Sequence, residues 1–134
     1  MSNWPDVEGG MKAYLVAQGL RAYLGVPSGA DKNPSLWPLI SITRVGGGQD
    51  SFDGALDLAL VQFDVWGAVG GRVACWGYTA QLRTALDAIG GATLLQGQTV
   101  AFGADVMSVA FFPDPANDRP RYVVTAQVTA LVLT

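Results

Sequence analysis

The chain has 134 residues, half of them hydrophobic and 14% charged, with a net charge of −3 and a mean hydropathy of +0.29. That length suits one domain, residues 1–134, and so much apolar content with so little charge excludes a disordered chain. Two lysines and scattered arginines form no basic patch to grip nucleic acid, and no stretch approaches the roughly 20 apolar residues that cross a membrane.

A small domain exposes most of its polar groups, so the low charge predicts surface covered by a second copy or a partner. The single cysteine, Cys75, leaves no intramolecular disulfide and fits a reducing compartment. Met1 to Glu8 has no basic region followed by an apolar run, so no secretory signal is expected.

Asp6 is placed to cap a helix over Val7 to Leu24, with Glu8 in its positive first turn and Gly25-Val26-Pro27 as its stop. A polar loop, Ser28 to Pro38, follows. Leu39 to Val45 reads as a strand, and Gly46 to Ser51 as a flexible glycine-rich loop. In the second strand, Leu56 to Trp66, Ala59, Val61, Phe63 and Val65 point one way, and Leu58, Leu60, Gln62, Asp64 and Trp66 the other. Both faces are largely apolar, which predicts a central strand covered on two sides, by helices on one and a neighbouring subunit on the other.

Gly67 to Gly71 turns the chain into a second helix, Arg72 to Ile89, with Cys75, Tyr78, Leu82, Ala85, Leu86 and Ile89 as its apolar stripe and Gly90-Gly91 as its stop. Three strands are predicted after it: Thr93 to Phe102, with a break at Gly97 as an option, Asp105 to Phe111, and Tyr122 to Val132. Phe112 to Pro120 is a proline-rich connection that no sheet interior accepts. The order predicts an α+β fold, a mainly antiparallel sheet with two helices packed on it.

The chain contains no histidine, which removes Ser-His-Asp and Cys-His catalysis and nearly every zinc site. No catalytic, metal or cofactor set is assigned. Cys75, on the apolar stripe, reads as a buried, inert thiol. Asp50, Asp53 and Asp57 lie close together, but without the calcium-loop spacing they read as solvated turn aspartates. Gly67 to Arg72 joins a strand to a helix N-terminus, yet lacks the Lys-Ser/Thr of a phosphate loop, so it reads as a tight turn.

Interface candidates carry more of the function. Trp76 falls with Arg72 and Arg83 on the polar side of the second helix, the composition of an interface anchor. Trp76 is then either buried on assembly or covered by one of the domain's own loops, such as Ser28 to Pro38. Gln49, Asp50 and Phe52 at the glycine-rich tip, and Asp114, Asp118 and Arg119 in the proline-rich connection, are candidates to order on a partner; plain solvent loops are the alternative.

Taken together, four segments resemble a known family: the Asp6-Val7-Glu8 helix opening, the strand Leu39 to Val45 with its glycine-rich turn, Leu60 to Ala68 running into the second helix, and the terminal Arg121-Tyr122-Val123-Val124-Thr125-Ala126-Gln127-Val128 strand. The pattern looks like the tail terminator, or tail completion, proteins of long-tailed bacteriophages and related tail-like particles, over nearly the full chain. The resemblance implies a virion structural protein at the head-proximal end of the tail, made in the host bacterial cytoplasm. It implies a homo-hexameric ring on the last ring of the tail tube protein, which stops elongation and meets the head-tail connector or head-completion protein. DNA would pass through the pore without specific binding. Closed symmetry then needs two different patches per subunit, the second helix with Arg72, Trp76 and Arg83 supplying one and sheet or loop surface the other. Another neck, head-closure or tail-tube-related protein is the alternative, and a small ligand-binding module, which needs a pocket with convergent polar groups, comes after it.

Overall fold

The computed structural model describes residues 5–49, 56–96 and 99–131. Helix α1, Val7–Ala17, starts where Asp6 accepts the Gly9 amide at 3.0 Å. It ends seven residues before Leu24, the expected boundary. Gly19 takes φ +86°, its N–H bonds Val16 O and the Leu20 N–H bonds Leu15 O, closing the last turn in the two-bond arrangement that ends helices at a left-handed glycine. Leu20 then buries beside Leu15. The chain turns into a short strand β1, Ala22–Tyr23, and two 3₁₀ turns, Ala30–Lys32 and Pro34–Leu36.

Strand β2, Leu39–Gln49, is longer than expected and runs through Gly46-Gly47-Gly48. Its partner is β3, Leu56–Trp66, which pairs with β2 antiparallel from Leu39↔Trp66 to Gln49↔Asp57. A register shift between Arg44 and Gly46 absorbs one residue, and Gly47 sits at φ +84° where a β-carbon would run into the backbone of Leu58 to Leu60. Lateral pairing to an apolar strand thus outweighs the glycines' preference for a flexible loop.

Helix α2 covers Arg72–Asp87, and all six residues of its predicted stripe are buried. Beyond it the expected strand Thr93 to Phe102 divides: β4 is Gly90–Gln96, and β5, Thr99–Phe111, runs on through the stretch expected to separate it from Asp105 to Phe111. Two bulges in β5 make that continuity possible and leave Phe102 and Met107 exposed. Strand β6, Arg121–Leu131, alternates as its sequence predicts, with Tyr122, Val124, Ala126, Val128 and Ala130 buried.

The sheet order is β1-β2-β3-β6-β5-β4, antiparallel except for the parallel β1–β2 pair. The fold is the expected α+β class. One core joins Met11 and Leu15 of α1 and Cys75, Leu82 and Leu86 of α2 to Ala59, Val61, Phe63 and Val65 of β3 and the inward residues of β6. Both helices therefore pack on the same face of the sheet, bound to each other where the Tyr14 hydroxyl donates to Ala85 O at 2.8 Å. Neither α-helix covers the opposite face, although Leu39, Ser41 and Asp64 are buried at its Trp66 end.

Candidate interaction surface

The turn into α2 is set by packing. The Gly67 N–H donates to Pro120 O at 2.9 Å, and a β-carbon at Gly67 would stand 2.8 Å from both Cys75 and Pro120 side-chain atoms. This fit explains the glycine-rich Gly67 to Gly71 segment without an anion. From there α2 presents Arg72, Val73, Trp76 and Arg83 outward, with Val73 88% and Trp76 50% exposed.

The structure brings Arg72, Trp76 and Arg83 together on one flank. Trp76 leans on Tyr122, centroid to centroid 5.1 Å, and Tyr122 meets Phe111 at 5.0 Å. The Arg72 guanidinium lies 3.9 Å over the Phe111 ring and its Nε donates to the Tyr122 hydroxyl at 3.3 Å. Arg83 stands farther along, lining a cleft of about 200 Å³ with Trp76, Thr79, Asp87 and Val109. The loop named as an alternative cover for Trp76 is occupied elsewhere: the Trp37 indole N–H donates to Ala30 O, and the Arg21 Nε–H donates to Leu36 O and Pro38 O.

The proline-rich connection is ordered by its own contacts. Asp114 accepts from the Ala116 amide at 2.9 Å and the Asn117 side chain at 3.0 Å, and the Asn117 bond foremost holds its carboxyl below the usual carboxylate range. Asp118 takes a left-handed φ of 53°. Arg119 stacks 4.0 Å over Trp37 and pairs with Asp31 at 2.9 Å, so its side chain is spent mainly within the chain. Its Nε is buried with no acceptor. Of the glycine-rich tip, Gln49 ends β2, while Asp50 and Phe52 lie outside the described residues, as does Asp53.

Asp57 requires a correction. It is fully buried, and Arg44 grips its two oxygens with two bonds of 2.6 Å, the reverse of a solvated turn aspartate. Its neighbour in the pattern, Ala59, also faces the helices, so the strand's alternation carried the signal that the local cluster of aspartates obscured. Cys75 is buried as expected; burial pushes its thiol up to about 11, far from a nucleophile's range.

A second surface is the uncovered side of the sheet. Leu58, Leu60, Gln62 and Trp66 of β3 alternate there with Val123, Thr125, Gln127 and Thr129 of β6, all half-buried, while Leu39, Ser41 and Asp64 on the same side are buried. The Trp66 indole N–H donates to Ser41 Oγ at 3.2 Å, and Gln62 donates its amide to Asp64. The sequence marks this face as apolar without saying which strands extend it.

The chemistry elsewhere is sparse. A shallow cleft of about 390 Å³ between the end of α1 and α2 is lined by Gln18, Leu20, Ala80, Gln81, Thr84, Ala85 and Ala88, none of them ionisable. Among the described residues no group of His, Cys, Asp or Glu is arranged to hold a metal ion. The chain matches no protein-family model and no curated protein at a significant level.

Proposed function

We propose that the chain is a structural subunit of a phage-type tail: a tail terminator that caps the tail tube as a six-membered ring, ends its elongation and forms the joint to the head connector. The observation that carries this reading is the pair of unlike, incompletely covered surfaces on one small subunit, a bare sheet face and a half-exposed tryptophan flanked by arginines. A closed ring needs such a pair, because each subunit meets its two neighbours through different patches. The low charge of the chain fits surface that other subunits cover, and a weakly acidic subunit does not clamp DNA that has to slide past it.

Purified protein mixed with tail tubes tests the reading by electron microscopy. The expected outcome is density at one tube end only, closed rings, and tubes that no longer lengthen when tube subunits are added. Binding along the tube wall, or none, overturns it. Unlimited filaments of the protein alone would make it a tube-related subunit instead.

A further inference from the structure

The α2 flank and the sheet face without α-helices carry charges that no ion pair among the described residues neutralises, and the two sets are complementary. On α2, Arg72, Arg83 and Asp87 lie on one flank with Trp76. Among the described residues the ion pairs are Arg44–Asp57 and Arg119–Asp31, and none involves these side chains. With about 100° and 1.5 Å per residue, Arg72, Trp76, Arg83 and Asp87 fall within about 60° of the helix circumference. Arg72 is then about 17 Å from Arg83, and Asp87 about 6 Å beyond it.

On the bare sheet face the charges are Asp64 of β3, Asp105 of β5 and Arg121 of β6. Asp64 lies opposite Val123, Asp105 opposite Gln127 and Arg121 opposite Trp66. Asp64 is buried, with the Gln62 amide on its carboxylate. Arg121 gives its Nε–H to Phe112 O and lies over Trp66, leaving its other donors. A rise of about 3.3 Å per residue and a strand spacing of about 4.8 Å put Asp105 about 16 Å from Asp64, and Arg121 about 8 Å from it. The outer pair is about 20 Å apart, against about 23 Å on the helix. The signs are opposite at both ends, and arginine side chains span the remaining offset.

We infer that the α2 flank of one copy docks on the sheet face of the next, Arg72 on Asp105 and Asp87 on Arg121, with Trp76 against β6 near Thr125; Asp64 is buried and takes no part. The face of β2, β3, β6 and β5 measures about 700 Å² from the same spacings, and with its Leu39, Ser41 and Asp64 end already buried the open part is smaller than the ~800 Å² each partner contributes to a stable interface, the size of a weaker contact. Direction agrees as well. The buried stripe of α2 points through the sheet, along the way the bare face looks out, and the charged flank lies about 110° round the helix from it. A straight filament needs its two interfaces about 180° apart, whereas a closed ring of six needs about 120°. The inference rests on the ring reading only for the number of subunits.

Charge exchange tests the contact. Self-association is measured by light scattering up to the solubility limit for wild type, Arg72→Glu, Asp105→Arg and the combined variant. Each single reversal is expected to weaken association roughly 10- to 100-fold, and the combination to restore it to within about threefold of wild type. Asp87→Lys with Arg121→Glu is an independent second pair, should Arg72→Glu disturb the Tyr122 contact; circular dichroism confirms the fold of each variant. A wild-type protein monomeric at every concentration, reversals without effect, or combinations without rescue overturn the docking. Rescued assemblies that ignore tail tubes would defeat the terminator reading and leave the docking standing. Capped tubes with unrescued variants would do the opposite.

Discussion

Among the described residues, Arg44 and Asp57 form the one ion pair that reaches the core. The carboxylate is fully buried, while the guanidinium keeps 29% of its side-chain surface in contact with solvent and also donates to Gly46 O. The Asp57 bond, foremost, raises the Arg44 pKa further. The asymmetry of exposure decides which truncation is worse. Arg44→Ala strands a buried carboxylate and is expected to cost about 3–5 kcal/mol, whereas Asp57→Ala leaves a cation that still reaches water and is expected to cost about half of that. Urea denaturation of the two variants checks the order, and equal losses would refute the argument from exposure. Cys75 makes a pH-dependent case. Its folded-state value of about 11 exceeds the ordinary 9.0, so the unfolded chain loses that proton first. Stability from this group is therefore complete below pH 9 and falls as the pH rises toward 11. Thermal melts are expected to decline more steeply with pH over that window in wild type than in Cys75→Ala.

At the scale of elements, α2 and β6 were legible because a single periodicity runs through each without interruption. Their buried residues are the ones the spacing picks out, except Thr79 of α2, which is buried on the polar side with its hydroxyl donating to Cys75 O. Leu20 and Leu24 prolong the apolar pattern of the first helix past its end, while the stop lies in one left-handed glycine, Gly19, that the pattern does not weigh. Local propensity makes the glycine triplet a loop, whereas what holds Gly46 to Gly48 in β2 is the backbone of β3. Gly47 carries the test of that account. A β-carbon there meets the Leu58 carbonyl and the backbone is left-handed, whereas one at Gly48 meets nothing within 4 Å. Gly47→Ala is expected to destabilise by more than about 2 kcal/mol and Gly48→Ala to stay within about 0.5 kcal/mol of wild type, read from thermal or urea melts.

For the whole molecule, the two-layer arrangement explains why so few charges are needed: a large part of the exterior is sheet face and helix flank, not a polar shell. The α2 half of the candidate site was readable from a helical wheel, since Arg72, Trp76 and Arg83 share one element. The other half was not, because Asp105 and Arg121 come from two strands and share a face only through the bulged β5–β6 register. The β3-β6-β5 order has a kinetic consequence. Strands β2 and β3 form one local hairpin and β5 and β6 another, but β3 and β6 meet only after the segment containing α2, β4 and β5 has been laid down between them. Closing that segment costs chain entropy before its contacts form, so the seam between the hairpins is expected to form last, and substitutions at Val61 or Ala126 on it are expected to speed unfolding more than they slow refolding in stopped-flow measurements.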